Sequence, residues 1–227
     1  MGKIVAIGGG FGGAANERLT QHLMDLTGKE HPHVLELPTA GFDNFERGIL
    51  ETFYNRGCTV DTLFLSHAYV TEEMIAQKIG EADIIYATGG NLKYLADVWK
   101  RTKADVYLKQ AYERGTVLCG TSSGAMCWFA EGYDDCGPAH EFMFVECLGL
   151  LPYVNCPHFE SSSWQSFAKR VKERKLSGIA CENEAAICFV DDKKYILTGN
   201  REGCCHYFDA NNNFKAYNLA KHMELLD

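Results

Sequence analysis

The chain has 227 residues, 46% hydrophobic and 23% charged, with a net charge of −8. That length predicts one globular domain, 1–227, with a core large enough to need no staples. The acidic balance argues against nucleic acid and anionic membranes as general partners, and no apolar run approaches the roughly 18 residues of a membrane span.

In chain order, Ile4–Ile7 reads as a first strand ending in glycines, followed by a helix from about Ala15 to Leu26. His33–Leu37 is a second strand, with a helix from about Phe42 to Arg56, and Val60–Leu65 a third. Thr71–Ile79 predicts a short helix with Thr71 as cap and Glu72 and Glu73 in its first turn. Asp83–Ala87 is a fourth strand, closed by Thr88-Gly89-Gly90-Asn91, with helical segments to Glu113. Strands at this spacing with helices between them imply repeated βαβ units and a parallel sheet. Ligands bind at the carboxyl ends of such strands.

The fifth strand, Val117–Cys119, feeds into Gly120-Thr121-Ser122-Ser123-Gly124, the layout of a nucleophile elbow. Gly120 and Gly124 remove Cβ atoms where the turn is tightest. Ser122 is thereby exposed at the sheet edge as a candidate nucleophile, and the N–H of Ser123 points where an oxyanion would form. Beyond the elbow, Gly132–Glu160 reads as an irregular connection. Ser163–Lys175 reads as a helix, Ile179–Val190 and Lys194–Thr198 as strands joined by an Asp191-Asp192 turn, and Tyr207–Asp209 and Phe214–Tyr217 as strands flanking another turn. The N-terminus lacks a signal-peptide core and cleavage site, and Met1-Gly2 lacks Ser or Thr at the sixth position for myristoylation.

A serine nucleophile needs a base and an orienting group. Of eight histidines, His158 stands out, in an extended apolar segment stiffened by Pro157. The ten cysteines include no Cys-x-x-Cys pair. In Cys204-Cys205-His206, adjacent strand side chains face opposite ways, so no metal is expected. Without export, free thiols in a reducing cytoplasm are expected.

Five segments in order carry a family resemblance: Gly89-Gly90-Asn91, Gly120 to Ala125, Leu148 to Leu151, Pro157-His158-Phe159, and Gly178-Ile179-Ala180-Cys181-Glu182. Together they resemble the dipeptidase E and cyanophycinase family of serine peptidases, over most of the chain. The resemblance implies a three-layer, doubly wound, mostly parallel α/β fold of the flavodoxin-like, class I glutamine-amidotransferase-like kind. It implies Ser122 as nucleophile, His158 as general base, and Gly90 with Ser123 as the oxyanion hole. Glu182 matches the family's glutamate as the orienting acid, although Cys181 stands where an acid is common; Asp134 and Asp135 are the alternatives, and Glu160 and Glu184 are neighbours in sequence only. The implied substrate is a small peptide, with an aspartyl residue on the acyl side in known members and no cofactor. Asn91, Arg170 and Arg174 are the candidate substrate contacts, with Lys93 a further cation for an aspartyl carboxylate. After the histidine, Glu160-Ser161-Ser162-Ser163-Trp164 departs from the loops of both family branches. Monomer and homodimer are both open.

Three other readings compete. Gly8, Gly10 and Gly13 satisfy the dinucleotide fingerprint, with Glu36 as a ribose-binding acid, which would make the chain a Rossmann-type NAD- or FAD-binding protein. A true α/β-hydrolase shares the elbow but orders its triad serine, acid, histidine. A non-catalytic, ligand-binding member of the fold is the third possibility.

Overall fold

The structure is a computed structural model that describes residues 2–10, 16–44, 50–199 and 202–226. Five strands, β1 (Lys3–Ile7), β2 (His33–Leu37), β3 (Thr59–Thr62), β4 (Ile84–Ala87) and β5 (Val117–Thr121), pair in parallel in the order β3-β2-β4-β5-β1. The helices α1 (Glu17–Thr27), α2 (Glu51–Asn55), α3 (Glu72–Glu81), α4 (Leu92–Thr102) and α5 (Ala104–Arg114) lie between them in sequence. Side chains alternate across a strand, and here both faces are apolar. Val5, Ile7, Val34, Ile84, Tyr86, Val117 and Cys119 pack with Leu19 and Leu23 of α1 and Phe53 of α2. Ile4, Ala6, Leu35, Leu37, Ile85 and Leu118 pack with Ile75, Leu95, Trp99 and Leu108 of α3 to α5. This is the expected three-layer arrangement, and near-continuous apolar strands are what a sheet covered on both faces requires. Part of the predicted helix from Phe42 to Arg56, and the Phe11 to Ala15 end of the first glycine run, lie outside the described residues.

The second half differs from expectation. After α6 (Ser123–Met126), the stretch read as irregular forms β6 (Phe129–Asp134), β7 (Met143–Glu146) and β8 (Leu151–Cys156). Their alternation is short and broken by Gly137, Pro138 and Pro152, which hides the period of two. The predicted helix 163–175 is instead three short turns in series, Trp164–Ser166, α7 (Phe167–Arg170) and Val171–Glu173. The single predicted strand Ile179–Val190 is two: β9 (Gly178–Cys181) and β10 (Ala185–Val190), separated by a turn at residues 182–184. Next come β11 (Lys193–Thr198), β12 (Cys205–Asp209) and β13 (Lys215–Asn218).

The first sheet is completed by β10 and β11, antiparallel beyond β1, giving the order β11-β10-β1-β5-β4-β2-β3. A second sheet has the order β13-β12-β9-β8-β6-β7. One apolar core joins them: Ile4, Leu118 and Ile187 of the first sheet share it with Phe129, Val145, Ile179 and Cys205 of the second.

This layout positions the site. The carboxyl ends of β1, β4 and β5 are neighbours, with Ile7 paired to Thr121 and Ala87 to Gly120. The turn between β9 and β10 passes from one sheet to the other above the same rim, since Gly8 N–H donates to the Ala185 carbonyl at 2.9 Å. It also bears on the dinucleotide reading. In the dinucleotide fold β1 sits beside β2 at the switch point, whereas here β1 lies between β5 and β10.

Candidate active site

Ser122 is the residue between β5 and α6, at φ 53° and ψ −121°. A non-glycine residue there carries strain on the order of 1–3 kcal/mol and is held only by its surroundings. Its N–H donates to the Ile7 carbonyl at 3.1 Å. A Cβ on Gly120 would lie 2.0 Å from the Gly124 carbonyl oxygen, and one on Gly124 would lie 2.1 Å from that of Ala87. The two glycines of the motif therefore let helix and strand meet under the serine.

His158 follows β8 and sits at φ 52°, with its N–H donating to the Gly8 carbonyl at 3.0 Å. Its ring meets Trp164 edge-on, with centroids 5.3 Å apart. The imidazole Nε2 is 2.9 Å from Ser122 Oγ, and Nδ1 is 2.7 Å from Asn183 Oδ1. The amide oxygen only accepts, so Nδ1 carries the proton and donates. In the neutral ring Nε2 is then the acceptor, and the Ser122 hydroxyl donates to it.

Asn183 thus stands where an acid was expected. Glu182, the favoured candidate, turns the other way: its carboxylate accepts the Cys204 N–H at 3.0 Å and pairs with His206 Nε2 at 2.8 Å. Neighbouring residues leaving a strand point to opposite sides, so the turn can offer only one of the two to His158. His206 is therefore occupied by a carboxylate, while its neighbour Cys205 faces the core. Glu160 accepts from both the backbone N–H and the side-chain amide of Asn183.

One glycine of the first run, Gly9, is explained by this pair. Gly9 is at φ 142°, and a Cβ there would sit 2.1 Å from Asn183 Oδ1 and 2.4 Å from His158 Cε1. Gly9 makes room for the His158–Asn183 contact.

Asp134, one of the alternative acids, lies behind the Gly89–Gly90 turn and makes no bond to His158. Its Oδ2 accepts the Leu92 N–H at 2.9 Å, and Ser123 Oγ, 3.4 Å from it, donates to the Gly90 carbonyl at 2.8 Å. Asp135 gives its backbone N–H to Asp134 at 3.1 Å. The Gly89–Gly90 turn touches Ser122, since a Cβ on Gly89 would lie 3.2 Å from Ser122 Cβ. Ser123 is the first residue of α6, so its N–H has no intrahelical acceptor.

The candidate substrate contacts are engaged elsewhere. Asn91 Oδ1 caps α4 by accepting the Tyr94 N–H at 2.8 Å. Arg170 pairs with Glu173 at 2.6 Å, Arg174 donates to Glu131 at 2.7 Å, and both guanidinium groups lie over the Phe144 ring. Lys93 pairs with Asp97. None of the three cations is bonded to Ser122, His158 or Asn183.

Sequence reasoning missed Asn183 and set Glu160 aside. Both residues sit in plain view beside motif positions, but a search for an orienting acid passes over an amide. The strand break that aims Asn183 at His158 leaves no periodic signal.

A model of peptidase family S51 matches residues 4–197. The chain is 31% identical over 215 residues to the uncharacterized peptidase YgaJ of Bacillus subtilis, covering 91% of each chain. It is 25% identical over 159 residues to the uncharacterized peptidase PM1590 of Pasteurella multocida, covering 66% of this chain and 75% of that one. Among solved structures, a peptidase from an acI-B1 Actinobacterium superposes with a TM-score of 0.74 at 18% identity, covering 96% of this chain and 94% of that one. A putative peptidase E protein from Listeria monocytogenes gives 0.66 at 18%, covering 87% and 98%. At that identity the two structures speak to the fold.

Proposed function

This chain belongs to peptidase family S51 and is a peptidase, and from that premise we propose that it hydrolyses small peptides by acyl transfer through Ser122 and His158. The observation that carries the reading is the 2.9 Å contact between His158 Nε2 and Ser122 Oγ at the apex of a strained elbow. Ser122 Oγ attacks the scissile carbonyl carbon while Nε2 takes its proton. The tetrahedral oxyanion rests on the N–H groups of Gly90 and Ser123. His158 then protonates the leaving amine, and water, activated by the same nitrogen, releases the acyl group and restores the hydroxyl.

Asn183 in this scheme holds the imidazole in the tautomer whose Nε2 is free to accept. An aspartyl carboxylate on the acyl side would need a cation, and Arg170, Arg174 and Lys93 are committed to Glu173, Glu131 and Asp97. Acyl-side preference is therefore read by assay, on α-Asp-X, β-Asp-X and non-aspartyl dipeptides, following amine release. Ser122→Ala should lower kcat by about four orders of magnitude on every substrate turned over, because the pair acts as a unit. It should also abolish covalent labelling by a fluorophosphonate. A variant that keeps wild-type turnover or still labels would refute the assignment.

A further inference from the structure

Glu160 lies two residues after His158, yet its carboxylate reaches the Asn183 turn rather than the imidazole. One oxygen accepts the Asn183 backbone N–H at 2.9 Å, and the other accepts from Asn183 Nδ2. An ionised carboxylate only accepts hydrogen bonds, so Asn183 can meet it only with its NH2 group. The amide oxygen is left facing His158 Nδ1 at 2.7 Å. A flipped amide would oppose two acceptors at Glu160 and two donors at Nδ1. The ring could then bond to it only by moving its proton to Nε2, the nitrogen that must receive the serine proton. Removal of Glu160 would remove the group that forbids the flip.

We infer that Glu160 is a positioning residue that sets the tautomer of His158 through Asn183, so that the working array runs Glu160–Asn183–His158–Ser122. This rests on the reading of Ser122 as nucleophile and His158 as base. The negative charge stands one residue further from the imidazole than in a serine–histidine–carboxylate triad, and acts by fixing and polarising the intervening amide. Gly9 supports the array sterically, since any Cβ there would enter the His158–Asn183 contact. The other charged groups around the turn have their own places. Glu182 is held by His206 and the Cys204 N–H, and Glu184 lies across Gly10.

The test moves the charge along the array in the full-length protein. Each variant is first shown folded by thermal unfolding. The rate of Ser122 labelling by a fluorophosphonate is then measured, together with kcat and KM on the best dipeptide. Labelling requires the same base and no knowledge of the peptide substrate. Glu160→Ala should slow labelling and lower kcat about 10- to 100-fold with KM within about 2-fold, because the base is disturbed and not the binding. Asn183→Asp should fall further, because two carboxylates then face each other within hydrogen-bond reach. The double variant Glu160→Gln with Asn183→Asp restores a carboxylate on Nδ1 with an amide donor behind it, and should return to within about 10-fold of wild type. A merely structural Glu160 would not give that rescue. Glu182→Gln should stay within about 2-fold of wild type.

The inference is overturned if Glu160→Ala labels at the wild-type rate, if the double variant is no faster than Asn183→Asp, or if Glu182→Gln shows the loss instead. Failure of the underlying reading looks different: wild type would resist labelling, or Ser122→Ala would label as well as wild type.

Discussion

The Asp134 side chain is 1% exposed, and burial pushes its pKa up to about 6 against the pull of the Leu92 N–H bond. A carboxyl whose folded pKa is raised binds more protons folded than unfolded across the interval from about 4 to 6. Stability from this group is therefore complete below about pH 4 and is lost as pH rises through about 6, with a span of about 3 kcal/mol. Asp134→Asn keeps an acceptor for Leu92 and removes the charge. Its urea midpoint relative to wild type should rise between pH 4 and pH 7.5, while an offset constant with pH would contradict the burial account. The same residue shows why an acid near the proposed nucleophile in sequence is a poor guide to the partner of His158: its carboxylate braces Leu92 and Ser123 beneath the proposed oxyanion hole, and its neutral form is the one that burial favours.

Among the elements, α4 matters for its first turn. Asn91 caps it through the Tyr94 N–H at 2.8 Å and gives its own N–H to the Ala40 carbonyl at 2.8 Å, which anchors the Gly89–Gly90 turn against Ser122. Thr71 caps α3 in the same manner, through the Met74 N–H at 3.3 Å, away from the site. Each cap should cost about 1 kcal/mol when replaced by Ala, read as a fall in thermal midpoint. The activities should separate. Asn91→Ala should also lower kcat about 10-fold or more, because the Gly90 N–H loses its fixed direction, and Thr71→Ala should leave kcat alone. Equal effects on activity would detach the oxyanion role from the α4 cap.

At the scale of the molecule, the two sheets share one apolar core, in which Trp128 and Trp99 are 0% and 1% exposed with ring centroids 5.6 Å apart. Trp128→Ala should destabilise the protein by about 3–5 kcal/mol. If the sheets form one cooperative unit, urea transitions followed by tryptophan fluorescence and by loss of Ser122 labelling should coincide in wild type. Two separated transitions would mean that the second sheet folds as a unit of its own.

The strands β1, β2, β4 and β5, the cap of α3, the elbow and the singling out of His158, which the fold brings to Ser122, are all legible from residue order, because each rests on local chemistry: an apolar run, a threonine before two glutamates, glycines that must lack Cβ, a proline before an imidazole. In the second sheet, β12, β13 and the β9 end of Ile179–Val190 were legible as strands, but β6, β7 and β8 were not. Those three are short, with Gly132 and Pro152 inside β6 and β8, and the pairing of all six is decided by partners far along the chain. Nor was the choice among Glu182, Asn183 and Glu184 legible. Sequence placed those residues next to one another and could rank them only by type. The turn between β9 and β10 sends Glu182 to His206, brings Asn183 to His158 and leaves Glu160 behind Asn183. Direction of a side chain at a strand break depends on backbone angles that two packed sheets impose, and those belong to the tertiary structure alone.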